Sequence, residues 1–178
     1  MNFLNQINPQ RITENDFLVL IEISKGSNKK YELDKETGFL KLDRILNTSF
    51  VYPANYGFIP LTHCDDNDPL DVFVLSKEVL EPMVIVQCRP IGVINMIDNG
   101  ELDEKIIAVP IKDSFMQEYQ DIKNIPNAVL QEIKHFLHHY KDLEQKKVVI
   151  KLIDDKSKSL IVIRKCLDKY LQLKKNYK

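Results

Sequence analysis

Met83-Val84-Ile85-Val86-Gln87-Cys88-Arg89, Ile91-Gly92-Val93-Ile94-Asn95-Met96-Ile97 and Lys105-Ile106-Ile107-Ala108-Val109-Pro110-Ile111 follow one another in quick succession. Each run is short, apolar and rich in β-branched side chains, which reads as a strand. Strands this short and this close, with tight connections, point to a barrel or a sandwich. Between the last two lies an acidic loop, Asp98-Asn99-Gly100-Glu101-Leu102-Asp103-Glu104, in which Asn99-Gly100 is a hairpin turn signal.

Upstream stands a second acidic segment, Asp65-Asp66-Asn67-Asp68-Pro69-Leu70-Asp71, running straight into the apolar strand Val72-Phe73-Val74-Leu75. Carboxylates packed so closely repel: at about 4 Å and an effective dielectric of about 20, each pair costs roughly 4 kcal/mol. A cation is the natural remedy. Pro69 fixes its own φ and drives Asp68 into an extended or turn conformation, so Asp66, Asp68 and Asp71 can converge on one point. Carboxylate oxygens suit Mg²⁺ or Ca²⁺ better than zinc. An EF-hand loop fits poorly, because Leu70 or Asp71 fills the position that needs glycine. The two acidic segments are expected to face each other across a barrel mouth.

Working outward, Phe17-Leu18-Val19-Leu20-Ile21-Glu22-Ile23 reads as a buried strand in which Glu22 is the anomaly, either solvated on an edge or turned into a polar site. Lys30-Tyr31-Glu32-Leu33 and Phe39-Leu40-Lys41-Leu42-Asp43-Arg44 alternate around a polar turn and form a hairpin, with Lys30 and Glu32 on one face. Phe50 to Pro60, with its aromatics, two prolines and a glycine, reads as a rigid, irregular connection.

From Pro126 the period changes to that of a helix, with Val129, Leu130, Ile133, Phe136, Leu137 and Tyr140 on one face. His135, His138 and His139 share it at chelating spacing, but Phe136 stands where a zinc-protease helix needs glutamate, so packing or an oligomer contact is the better reading. Val148 to Ile153 is a further strand, and Leu160, Ile163, Leu167, Tyr170 and Leu171 mark a last helix.

The whole is most simply one domain, 1–178, with 44% hydrophobic and 29% charged residues and a net charge of −1. That balance gives no general pull toward nucleic acid or an acidic membrane. Three scattered cysteines, Cys64, Cys88 and Cys166, without a CxxC pair, argue for free thiols in a reducing compartment. The N-terminus lacks the pattern of a secretory signal and no run is long enough to span a membrane, so a soluble, cytoplasmic protein is expected.

In order along the chain, Lys30-Tyr31-Glu32, Asp43-Arg44, Tyr52-Pro53-Ala54-Asn55-Tyr56-Gly57, Asp66-Asn67-Asp68-Pro69-Leu70-Asp71, Arg89-Pro90-Ile91-Gly92-Val93, Asp98 to Lys105, Ala108-Val109-Pro110 and Tyr140-Lys141-Asp142-Leu143-Glu144 resemble the motifs of the soluble inorganic pyrophosphatases of the Mg²⁺-dependent first family, in their short bacterial form. The resemblance runs from about Glu22 to Glu144 and departs at Asn99, where many relatives carry glutamate, and near Val148, where many carry tryptophan. It implies an α+β fold, a five-stranded OB-like β-barrel flanked by two main α-helices. It also implies a homohexamer, with His135 and His139 near a subunit contact.

The reaction it implies is hydrolysis of pyrophosphate to two phosphates by a Mg²⁺-activated water, with Asp68 as general base. Several Mg²⁺ ions, with Mn²⁺ or Zn²⁺ as substitutes, would sit on Asp66, Asp71, Asp98, Asp103 and Glu32. Lys30, Arg44, Tyr56, Lys105, Tyr140 and Lys141 would grip phosphate oxygens, with Glu22 and Tyr52 in support. No nucleic-acid, membrane or foreign protein partner is expected.

Overall fold

A computed structural model of the protein describes residues 3–144 and 146–176. Its centre is a ring of five strands. β1 (Phe17–Ile23) is buried along its whole length, as a run apolar at every position but Glu22 favours. The hairpin β2 (Lys29–Leu33) and β3 (Leu40–Ile45) stands apart as a separate two-stranded sheet. β4 (Asn55–Ile59), β5 (Leu70–Val74), β6 (Ile85–Asp98) and β7 (Glu101–Pro110) complete the ring in the order β1-β4-β5-β7-β6, and β6 closes it by pairing back onto β1. Closure leaves the ring without a free edge.

Two helices and one further strand cover it. α1 (Asn127–His139) starts after Pro126 and buries Ile133, Phe136 and Leu137. β8 (Val148–Asp155) adds to the outer half of β6. α2 (Lys156–Asn176) lies against β6 and β8. The α+β architecture of a five-stranded barrel with two main helices is therefore present. Among the described residues, no helix is long and apolar enough to cross a membrane.

Four details differ from the sequence reading. Asn55–Ile59 is a regular barrel strand, not an irregular connection, and Gly57 explains how: a Cβ there would lie 1.9 Å from the Leu20 carbonyl oxygen, so a bare backbone is what lets β4 press against β1. The runs before and after Pro90 are one long strand, because Pro90, which has no N–H to give, sits at a register shift in the β6–β7 ladder. The second acidic segment is mostly ladder: Glu101 to Glu104 pair with Asp98 to Asn95, and the turn shrinks to Asn99 and Gly100, at φ 53° and 91°. On α2 Ile163, Leu167 and Tyr170 pack on the core as expected, joined by Val162 and Cys166, whereas Leu171 is half exposed.

Candidate active site

One polar cleft of about 260 Å³ opens between the barrel, the β2–β3 hairpin and α1. Asp66, Asp68 and Asp71 from the first acidic segment and Asp98 and Asp103 from the β6–β7 hairpin all line it. The two segments do share a mouth.

The first segment is a built turn. The Thr62 hydroxyl donates to the Ile59 carbonyl and accepts from the Leu70 N–H at 2.9 Å, which ties the turn's exit to its entrance. The Cys64 N–H donates to the Asp68 carbonyl at 2.8 Å, and the Asp68 N–H to the Asp66 carboxylate at 3.0 Å. Asn67 takes the left-handed conformation at φ 68°, which asparagine tolerates. Burial, and then the charges of Asp103, Asp71 and Asp68, hold the Asp66 carboxyl above its ordinary range.

Strand register does the rest. β5 and β7 pair in parallel with Asp71 opposite Lys105, and the Lys105 ammonium lies 2.8 Å from Asp71 and 3.0 Å from Asp103. Burial alone would lower the Lys105 pKa, but the charges of Asp71 and Asp103 reverse that and hold it up. The Tyr56 hydroxyl donates to Asp71 at 2.5 Å, and burial with the Asp71 charge holds this phenol protonated. Lys141, just after α1, pairs with Asp98, while Asp98 Oδ1 is buried with no partner among the described residues.

Glu22 enters the cleft. The β1–β4 register shifts between Ile21 and Ile23, and the Glu22 carboxylate turns to accept the Leu33 N–H of β2 at 2.7 Å. Burial, then the charge of Asp71, pushes its carboxyl up to about 8. On β2, Lys30 pairs with Glu32 and lies 3.4 Å from Asp43.

Tyr52 and Tyr140 line the inner wall, and both rings pack on Phe136 of α1 at 4.8 and 4.9 Å. Arg44 stands behind the cleft rather than in its lining. It is opposite Lys30 in the hairpin ladder and bonded through Nε to Glu144 at 2.8 Å and through Nη1 to Asp43 at 2.6 Å, while Nη2 is buried without a partner among the described residues.

Every other candidate lines the cleft. Lys35, from the hairpin turn, is one residue the sequence reading missed: its ammonium lies 2.9 Å from Asp68 Oδ1. Alternation assigned the hairpin's two faces but could not say that the hairpin folds over the acidic turn.

The histidines lie away from the cleft. The Phe50 ring packs edge-on against His135 at 5.3 Å and stacks with His139 at 6.4 Å, and His139 meets Asp142 at 2.8 Å. Among the described residues, no three His, Cys, Asp or Glu side chains stand as a ready-made metal cage; in the cleft, lysines lie between the carboxylates.

An all-oxygen acidic mouth laced with lysines is a site for a cation and a polyanion together. Comparison with known proteins leads the same way. The family model "Inorganic pyrophosphatase" matches residues 19–171. A soluble inorganic pyrophosphatase of Solanum tuberosum is 54% identical over 134 residues, covering 75% of this chain and 64% of that protein, so the match spans a little under two thirds of that relative's own length. Soluble inorganic pyrophosphatase 1 of Arabidopsis thaliana is 46% identical over 156 residues, 88% of this chain and 74% of that protein. The solved inorganic pyrophosphatase of Helicobacter pylori superposes with a TM-score of 0.87 at 43% identity, over 89% of this chain and 95% of that one. With the cleft's carboxylates and cations in the matched segment, the chain belongs to the inorganic pyrophosphatase family.

Proposed function

We propose that the chain hydrolyses inorganic pyrophosphate to two phosphates by a Mg²⁺-activated water, with Asp68 as general base. The observation that carries this reading is the interleaving of charge: Lys105 between Asp71 and Asp103, Lys141 on Asp98, Lys30 on Glu32. A pocket for an anion alone needs cations, and one for a cation alone needs carboxylates. Both together suit a polyanion that arrives with metal.

The residues fit Mg²⁺. Asp66, Asp71, Asp98, Asp103 and Glu32 would hold the ions, and Asp98 Oδ1, buried and unpartnered among the described residues, is an acceptor that a cation satisfies. When bound, such ions neutralise phosphate charge and bring the pKa of a water into the neutral range. Mn²⁺ shares the preference for oxygen and Zn²⁺ accepts carboxylates, so either can substitute.

The chain's own groups do the remaining work. Asp68, on the exposed side of the turn and steadied by Lys35, takes the proton of the attacking water and orients it toward phosphorus. Lys30, Lys105, Lys141 and Arg44 bind the phosphate oxygens and meet the charge that grows on the leaving phosphate. Tyr56 and Tyr140, protonated at neutral pH because burial raises both phenols, donate to the same oxygens. Glu22 and Tyr52 support the wall from behind.

The enzyme works in the cytoplasm, a reading supported by its unpaired thiols. It assembles as a homohexamer with His135 and His139 near a subunit contact. In support, both imidazoles are exposed beside Phe50, and β3 leaves Leu42 and Ile45 about half exposed.

The test is phosphate release from pyrophosphate and from ATP, each with Mg²⁺ and with a chelator. Fast release from pyrophosphate alone, abolished by the chelator, is expected. No release from pyrophosphate by folded protein overturns the reading.

A further inference from the structure

We propose that Cys64 and Cys166 are a redox-modification site, at which a small-molecule disulfide drives an intrachain Cys64–Cys166 disulfide that restrains the acidic turn. The two sulfurs lie 3.1 Å apart, a contact between residues 102 positions apart in the chain. A disulfide needs a separation of about 2.05 Å, so roughly 1 Å has to be closed.

Neighbouring contacts hold the two segments together on both sides of the thiols. The His63 N–H donates to the Cys166 carbonyl at 3.0 Å. Lys165 reaches Asp65 at 2.8 Å, and Lys169 pairs with the same carboxylate. The approach of the sulfurs is therefore fixed by backbone and ion pairs, not by two mobile side chains. Cys88, the third thiol, is fully buried in β6.

Access sets the order of the reaction, which is slow because the Cys166 contact, burial and the charges of Asp66 and Asp71 push the Cys64 thiol up. Cys64 is half-buried and Cys166 is 1% exposed, so the oxidant meets Cys64 first. The Cys64 thiolate attacks one sulfur of the small disulfide and expels one small thiol, leaving a mixed disulfide. The Cys166 thiolate then attacks the Cys64 sulfur and expels the second. Two protein thiols lose two electrons and two protons, and the oxidant leaves as two thiols.

The consequence lies in the turn. Cys64 stands immediately before it, and its N–H holds the Asp68 carbonyl at 2.8 Å. A bond from Cys64 to α2 fixes the turn's entrance to a helix. In a reducing compartment such a bond is transient, which is how thiol pairs sense oxidant.

The site does not depend on the activity proposed above, and its test needs no turnover. Full-length wild type, without metal, is incubated with oxidised glutathione. The expected result is a loss of about 2 Da, the two thiol hydrogens, with one peptide in a non-reducing digest joining Cys64 to Cys166. Dithiothreitol reverses both changes, and amide exchange over residues 63–71 slows in the oxidised form. Cys166→Ser stops at the glutathione adduct on Cys64. No mass loss, a wild type that stops at the adduct, a link through Cys88, or unchanged exchange in the turn each overturns the proposal.

Discussion

Asp71 and Lys105 face each other across the parallel pairing of β5 and β7, and their charged groups meet at 2.8 Å. A hydrogen-bond ladder thus sets an ion pair in the cleft, and the same ammonium holds Asp103 at 3.0 Å. Lys105 is 5% exposed, so removing it leaves two carboxylates facing each other with less water than they need.

Lys105→Met should therefore destabilise the metal-free protein by about 2 kcal/mol. That is less than the roughly 3–5 kcal/mol of a fully buried broken pair, because Asp71 is 33% exposed. Thermal unfolding checks it, and added Mg²⁺ should narrow the gap by neutralising the stranded carboxylates. An unchanged midpoint without metal would sink this account of the pair.

Glu22 gives a pH dependence. Its folded value of about 8 lies above the ordinary carboxylate value of roughly 4.3. Between those values the folded state keeps a proton that the unfolded chain has released, so stability is full below the lower value and is lost as pH rises through the upper one. Glu22→Gln keeps an acceptor for the Leu33 N–H and removes the titration. Without metal, the variant's thermal midpoint should gain on wild type from pH about 4.3 to 8; a gap that stays constant would contradict the burial argument.

Arg44 has two nitrogens held by Glu144 and Asp43 and a third, Nη2, buried with no partner among the described residues. Under the proposed function a phosphate oxygen would supply the acceptor. Arg44→Lys loses the planar fork and should weaken inhibition by product phosphate about tenfold, or about 1.4 kcal/mol. Equal inhibition constants would place Arg44 in a structural role.

The acidic turn was legible because Pro69 and four aspartates leave little else for that stretch to be. β1 was legible through an apolar run that only Glu22 interrupts, and α1 through its period. β4 was not, because its strand character comes from Gly57 meeting the Leu20 backbone, a contact made by another part of the chain. The unity of β6 was hidden by Pro90, which marks a break in the sequence and a bulge in the sheet. Neither Lys35 on Asp68 nor Cys64 beside Cys166 could be read from spacing, since both depend on how separate elements fold over the turn.

The central claim is that Asp68 removes a proton from the attacking water. Its side chain is 70% exposed and its partner is one solvent-facing lysine, so Asp68→Asn should leave folding intact. The direct measurement is phosphate release from pyrophosphate with Mg²⁺ at near-neutral pH, for wild type and Asp68→Asn side by side. A fall of roughly 10²-fold or more in a variant with wild-type thermal stability is the predicted result. Near-normal turnover in the variant would remove Asp68 from the role of base.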